Sequence, residues 1–348
     1  MSLPDPKPLL ASIIVPVYNG AKTLDACLTA LSAQTVAKDC HEVIVVDDGS
    51  TDGSAEVAAR YEVTVIRQEH AQAASARNRG AQQAHGEILL LTDADCEPSP
   101  DWAEQMLAPF ADPEVAGVRG FYRTRQRSVV ARFAQAEYEE KYDRLRRADQ
   151  VDFVDTYSAA YRRDLFLECG GFNPEFLLDE DQELSYRLAK MGCKLVSAPA
   201  AVVYHRHPTG VWWYARRKLQ LGRWKVRVHV RHPSKVLSDS YTPWTQKAQI
   251  VLAPLAVGAA VAAALGLISW AVVLILAAAG LVSGIPLMIK AVHQGWQVVM
   301  VAPVLVLIRA LALGAGIAWG ALSEIAAAAR PGKKQKGGSA PQPGRYEG

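Results

Sequence analysis

The sequence predicts an α/β catalytic unit, a mostly parallel sheet flanked by helices, followed by a basic interface segment and C-terminal membrane helices. Two observations carry this. Through the first 205 residues, short apolar runs alternate with amphipathic segments, the pattern of βαβ units. The charge is also split: residues 1–205 hold 21 Lys/Arg against 32 Asp/Glu, whereas residues 206–348 hold 17 against 3. Basic residues beside long apolar stretches point to the cytoplasmic face of a membrane and not to nucleic acid.

The predicted strands are Ser12–Tyr18, Glu42–Val46, Val63–Gln68, Ile88–Thr92, Val115–Arg123, Phe153–Tyr157 and Lys194–Ala198. Helical patterns fall near 21–33, 52–61, 72–85, 101–110, 128–148 and 180–191. Right-handed crossovers place the loops after the first, second and fourth strands on one edge, where ligands bind in open α/β sheets. Residues 1–10 form a Pro-rich tail without an apolar core, so no signal peptide is expected and the catalytic unit, 11–207, is expected on the cytoplasmic side. Five scattered cysteines without CxxC spacing argue against a disulfide framework or zinc site.

Residues 208–246 form the interface segment. Arg206–Ser238 carries nine Lys/Arg and no acid, with Trp212, Trp213, Tyr214 and Trp224 interleaved, as in an amphipathic helix lying at a bilayer surface. Residues 247–329 form the membrane region. Ala248–Ile289 is 42 residues without charge, enough for two spans of about 20 with a turn near Ser269-Trp270. Lys247 and Lys290 flank the pair and place both ends in the cytoplasm. A third apolar stretch, from Val298 to about Ala329, is either a third span or a re-entrant or interfacial hairpin. Arg309 within it must face protein, water or phosphate. The Gly/Pro/Lys-rich tail, 330–348, is expected to be disordered.

Glu87-Ile-Leu-Leu-Leu-Thr-Asp-Ala-Asp95 reads as a buried strand that delivers two carboxylates to the exposed edge. Paired carboxylates there suit a hard divalent cation and the diphosphate that accompanies it; the plainer reading is a solvated turn. Pro16-Val-Tyr-Asn-Gly20 offers a Tyr to stack on a base. Val46-Asp-Asp-Gly-Ser-Thr-Asp-Gly53 offers a carboxylate to a base N–H, or merely a helix cap. Arg77 and Arg79 of Ala76-Arg-Asn-Arg-Gly80 offset negative charge. Glu175, Asp179, Glu180, Asp181 and Glu183 gather near a helix start, with Leu177, Leu184 and Leu188 inward. His205 and His207 could reach a metal or phosphate.

Ser12–Asn19, Val45–Asp52, Ala76–Gly80, Thr92–Asp95, Gly170-Gly-Phe172 and Glu180-Asp181, six motifs in order over about residues 11–207, resemble the family 2 glycosyltransferases. The resemblance implies a GT-A, Rossmann-like fold, a nucleotide-sugar donor (a UDP-sugar favoured), a divalent metal (Mg or Mn) and inversion at the anomeric carbon. It implies that Pro16, Tyr18, Asp48, Arg77 and Asp93 bind nucleotide and that Asp95, Asp93 and His205 hold metal. Asp181, with Glu180, is then the general base. Gln220-Leu-Gly-Arg-Trp224 matches the QxxRW pattern of processive members, which assigns Gln220, Arg223 and Trp224, with Gly171, to the acceptor and diphosphate. The expected function is transfer to a lipid-linked or membrane-proximal glycan acceptor; the alternatives are a processive polysaccharide synthase and a non-catalytic nucleotide-binding scaffold.

Overall fold

The computed structural model describes residues 9–239 and 241–328. An eight-stranded sheet with the order β3-β2-β1-β4-β7-β6-β8-β5 forms the centre of the catalytic domain. Its first half is built from β1 (Ala11–Val17), α1 (Ala21–Ser32), β2 (His41–Asp47), α2 (Ser54–Ala58), β3 (Thr64–Arg67), α3 (Gln72–Gln83) and β4 (Ile88–Leu91). Strands β3, β2, β1 and β4 run parallel. β1 and β4 are buried along their whole length, as is the end of β2. Strands covered on both faces read as continuous apolar runs, which is why Ile13–Val15, Ile44–Val46 and Leu89–Leu91 are visible in the sequence.

The second half mixes directions. It contains β5 (Cys96–Pro98), α4 (Trp102–Leu107), β6 (Val115–Arg123), α5 (Val129–Leu145), β7 (Ala159–Arg162), α6 (Arg163–Glu168), α7 (Glu180–Lys190) and β8 (Lys194–His205). β7 is antiparallel to both β4 and β6, and β5 to β8, while β6 and β8 are parallel. Six of the eight strands, β1–β4 with β6 and β8, therefore run the same way, as the mostly parallel expectation requires, and β5 and β7 are reversed. Phe153–Tyr157 is not a strand: it is a loop ending in one helical turn, and the strand follows it at β7. Asp155 inside that loop is buried against Arg119, Nη2 to Oδ2 at 2.6 Å, an interaction the apolar pattern does not encode. Leu184 and Leu188 are buried as expected, but Leu177 is 52% exposed. Because α7 begins at Glu180, residue 177 lies outside its periodicity, and Phe176 packs inward instead.

Beyond the sheet come α8 (Val211–Arg231), α9 (Lys235–Ser238), α10 (Trp244–Ala264), α11 (Trp270–His293) and α12 (Trp296–Ala328). The last three are long and apolar enough to cross a membrane, which makes this a membrane protein. α10 and α11 form the expected pair, with Ser269 Oγ accepting from Ala271 N at the head of α11. The third stretch is one continuous helix and not a hairpin. α12 stays against the catalytic domain along much of its length. Val298, Ala302 and Leu305 pack with Val130, Phe133 and Tyr214. Further along, a Cβ at Gly316 would stand 2.1 Å from the Leu219 carbonyl oxygen, so α8 and α12 touch backbone to backbone. Arg309 faces protein: its Nη1 donates to Glu137 Oε1 at 2.9 Å and its Nη2 to Gln249 Oε1.

Candidate active site

The nucleotide-edge loops are laced together by their own polar groups. Asn19, in the left-handed region at φ 50°, accepts from Thr51 N, and Ser50 and Ser54 hydroxyls accept from Asn19 N and Gly20 N. Tyr18 is half-exposed at the end of β1 and stacks on His70, with centroids 4.0 Å apart. Pro16 lies inside the buried strand, paired in register with Val46, so it shapes β1 and does not meet the cleft. Asp48 is buried. Gln68 Nε2 and Ala71 N donate to its Oδ1 at 2.7 and 2.8 Å, and Gln72 N and His70 Nδ1 lie 2.9 Å from its Oδ2. The His70 Nδ1 hydrogen bond goes to the Asp48 carbonyl oxygen at 3.2 Å, so with two lone pairs per carboxylate oxygen Oδ1 is filled and Oδ2 can still accept from a base N–H. Asp48 thus sets the 68–72 loop.

Arg77 joins motifs that are far apart in the sequence. Buried on α3, it donates from Nη2 to Asp93 Oδ1 and from Nη1 to Glu180 Oε1, both at 2.7 Å. Burial opposes its charge, yet Asp93 and Glu180 hold the guanidinium above its usual pKa. The next residue, Asn78, donates to Phe172 O at 2.7 Å and accepts from Phe172 N at 2.9 Å. Gly171 sits at φ 63°, where a Cβ would come 2.4 Å from Asn78 Oδ1. That glycine is required by the close approach of α3 and does not reach the acceptor side of the cleft.

Among the described residues, Asp95, Cys96 and His205 bring ligand-type atoms within 4.8 Å of one another. His205 Nε2 lies 3.5 Å from Asp95 Oδ2. Asp93 is outside this group because Arg77 holds it. Burial pulls His205 down to about 4, so the imidazole is neutral at pH 7, as a metal ligand must be. Burial, then the neighbouring Asp93, pushes Asp95 up to about 6, while Arg217 and Arg206 pull the other way. The Cys96 thiol is buried and raised by desolvation, which leaves an oxygen and a nitrogen as the usable donors and fits Mn or Mg completed by a diphosphate.

A cleft of about 290 Å³ opens beside these groups, and Asp93, Arg77, Glu180 and Asp181 line it. Asp181 accepts from Gln182 N at 2.8 Å and Thr156 N at 3.4 Å, which leaves acceptor capacity free. Burial, then Glu180 and Asp179, raises its carboxyl well above the usual range. The sequence did not single out Arg217, whose guanidinium donates to Tyr157 Oη in this cleft, or Lys141, which lines the same wall. Their only signal is the basic character of the segments that carry them. Gln220, Arg223 and Trp224 are not among the cleft residues. The α8 face in the cleft is Arg217, Lys218, Leu221 and Lys225, while Arg223 stacks over Trp319 at 4.2 Å and Trp224 packs near Phe176. A QxxRW role at the acceptor is therefore not supported by position.

An α/β domain whose strand-end carboxylate meets a helix-borne acid in one cleft is the arrangement of a group-transfer enzyme. Residues 12–170 match the family model described as glycosyl transferase family 2. The chain is 27% identical to glycosyltransferase AglE of Haloferax volcanii over 62% of this chain and 73% of AglE. It is 29% identical to the pre-mycofactocin glycosyltransferase of Mycobacterium tuberculosis over 64% of this chain. That match spans 48% of the mycobacterial relative's length. Among solved structures, the mannosyltransferase PcManGT of Pyrobaculum calidifontis superposes with a TM-score of 0.58 at 20% identity, covering 93% of this chain and 89% of that one. The fold is of GT-A type, and residues 12–170 form a domain of the glycosyl transferase family 2 type.

Proposed function

We propose that the protein is a metal-dependent, inverting glycosyltransferase that moves a single sugar from a nucleoside-diphosphate sugar to a lipid-linked or membrane-proximal acceptor. The observation that carries this is Arg77, which fastens Asp93 of the diphosphate edge to Glu180, beside Asp181, across one cleft. Tyr18 and His70 offer a stacking face to the base on the loop that Asp48 shapes. Asp95 and His205 would hold the divalent ion, which when bound supplies positive charge to the leaving diphosphate. Arg217, next to Asp95, adds a cation to the same negative group.

Asp181 would take the acceptor hydroxyl's proton as the oxygen attacks the anomeric carbon. The glycosidic bond breaks from the opposite face, its electron pair leaves with the diphosphate, and the configuration inverts. The raised carboxyl of Asp181 has a definite consequence for pH. It is protonated and inactive over a wider acid range than an ordinary Asp, and becomes a base as pH rises through its elevated pKa. Lys247 and Lys290, flanking the α10–α11 pair, support a cytoplasmic catalytic domain.

The test is a screen of nucleotide sugars with the purified full chain. PcManGT was solved with GDP-Man and Mn2+, so GDP- and UDP-sugars are both included, with Mn, Mg and EDTA arms. Metal-dependent release of nucleoside diphosphate from one donor is expected. Donor binding without turnover under every metal condition would identify a scaffold instead.

A further inference from the structure

The cleft does not end at Asp181. Past the acidic residues its wall turns basic and then apolar, where Lys141 on α5 and Lys218 and Lys225 on α8 give way to Ile250 on α10 and Leu313 and Ile317 on α12. Lys218 is neutralised by Glu137, Nζ to Oε2 at 2.7 Å, and Glu137 is shared with Arg309. Among the described residues, Lys141 has no carboxylate partner. Its Nζ lies over the Tyr241 and Tyr138 rings, at 4.1 and 5.1 Å from their centroids. Lys225 Nζ donates to the neutral Thr242 hydroxyl at 2.9 Å and makes no ion pair with a carboxylate among the described residues.

Two ammonium groups in one cleft wall, neither in contact with a carboxylate among the described residues, leave donors free for an anion from outside. Asp179 attracts Lys225 and Lys141 across the same space without touching either, and Asp155, which also attracts Lys141, is already bound to Arg119. The apolar residues beyond belong to the membrane helices, so whatever follows the anion is hydrocarbon. Burial, then Lys218, pulls the Lys141 ammonium down to about 7, against the opposing pull of Glu137.

We infer that the acceptor is an amphiphile whose phosphate group binds between Lys141 and Lys225 and whose hydrocarbon chain leaves the cleft over Ile250, Leu313 and Ile317. This rests on the transferase reading and narrows it: the order along the cleft is reacting hydroxyl, phosphate, hydrocarbon. The occupant is the acceptor lipid and not a bulk phospholipid.

The experiment titrates the full chain, in phosphatidylcholine nanodiscs, with dodecyl phosphate, uncharged dodecyl maltoside and inorganic phosphate by calorimetry. Dodecyl phosphate is expected to bind about tenfold or more tightly than either comparator, the size of a charge-assisted contact. Lys141→Ala removes that preference, Lys141→Arg restores it, and Arg216→Ala, outside the cleft, leaves it intact. Equal binding of dodecyl maltoside would reduce the site to a greasy groove, and equal binding of inorganic phosphate would make it a free-anion site; either overturns the inference. Loss of the dodecyl phosphate signal in phosphatidylglycerol nanodiscs assigns the site to bulk lipid and also overturns it. Donor turnover without any dodecyl phosphate preference defeats this inference alone, whereas dodecyl phosphate binding without turnover of any donor defeats the transferase reading.

Discussion

Asp48 and Asp181 are carboxylates at the junction of an element and a loop, yet their surroundings differ. The Asp48 carboxylate meets three donors of its own chain between 2.7 and 2.9 Å. Asp181 meets two, one of them long at 3.4 Å, and is pushed towards its protonated form by burial and by Glu180 and Asp179. A carboxylate held by several short bonds from its own loop is part of the scaffold. One that is desolvated, crowded by like charge and left with free lone pairs is poised to receive a proton.

The strongest way to break this contrast is to neutralise the open carboxylate. Asp181→Asn is expected to lower the transfer rate by about 10²–10⁴, the usual contribution of a positioned base, with the thermal midpoint no lower than wild type. Rates within a few-fold of wild type would place the base elsewhere. Next in size is Arg77→Met, which leaves Asp93 and Glu180 buried without their cation. A loss of about 3–5 kcal/mol is expected, read by chemical denaturation, together with loss of transfer. Asp48→Asn removes acceptors from a hydrogen-bonded group and is expected to cost about 1–3 kcal/mol of stability. Its kinetic signature is a raised donor KM at nearly constant kcat; a large fall in kcat would give Asp48 a chemical part.

The smallest effect tests the cause of the Asp181 shift. Asp179→Asn deletes a negative neighbour, which makes ionisation of Asp181 easier, so the rising limb of the pH–rate profile moves to lower pH. Asp179 is itself raised to about 6, chiefly by burial. A carboxyl raised in the folded state contributes stability below its unfolded pKa and loses it as pH climbs through 6. The same variant is therefore expected to be more stable than wild type at pH 7, and no more stable at pH 4.

The sequence made β1, β2 and β4 legible because strands covered on both faces must be continuously apolar, and their end carboxylates follow directly. Six of the helices were legible from periodicity, as was the α10–α11 pair from its lack of charge. The strand at Ala159–Arg162 was missed because small residues and a Tyr carry little pattern, while the apolar alternation at Phe153–Tyr157 came from a loop anchored by an ion pair. In the site, the meeting of Asp93, Glu180 and Asp181 in one cleft could be anticipated from the motifs, whereas Asp95 and His205 are not among the residues that line it. The occupancy of Asp48, the turning of Asp93 towards Arg77 and the rotation of Gln220, Arg223 and Trp224 away from the cleft could not. Those depend on where a side chain points once two elements are packed, and a one-dimensional pattern leaves that rotation free.

The packing of α12 along α5 and α8 bears on how the enzyme could be engineered. A cut at residue 239 would not release a self-contained catalytic domain. It would strip apolar cover from Val130, Phe133 and Tyr214 and take Arg309 from Glu137, leaving Lys218 as the remaining cation bound to that acid. The catalytic domain and its apolar helices pack as one piece, so under the proposed function the depth of the cleft is set by that packing and only acceptors presented at that depth would meet Asp181.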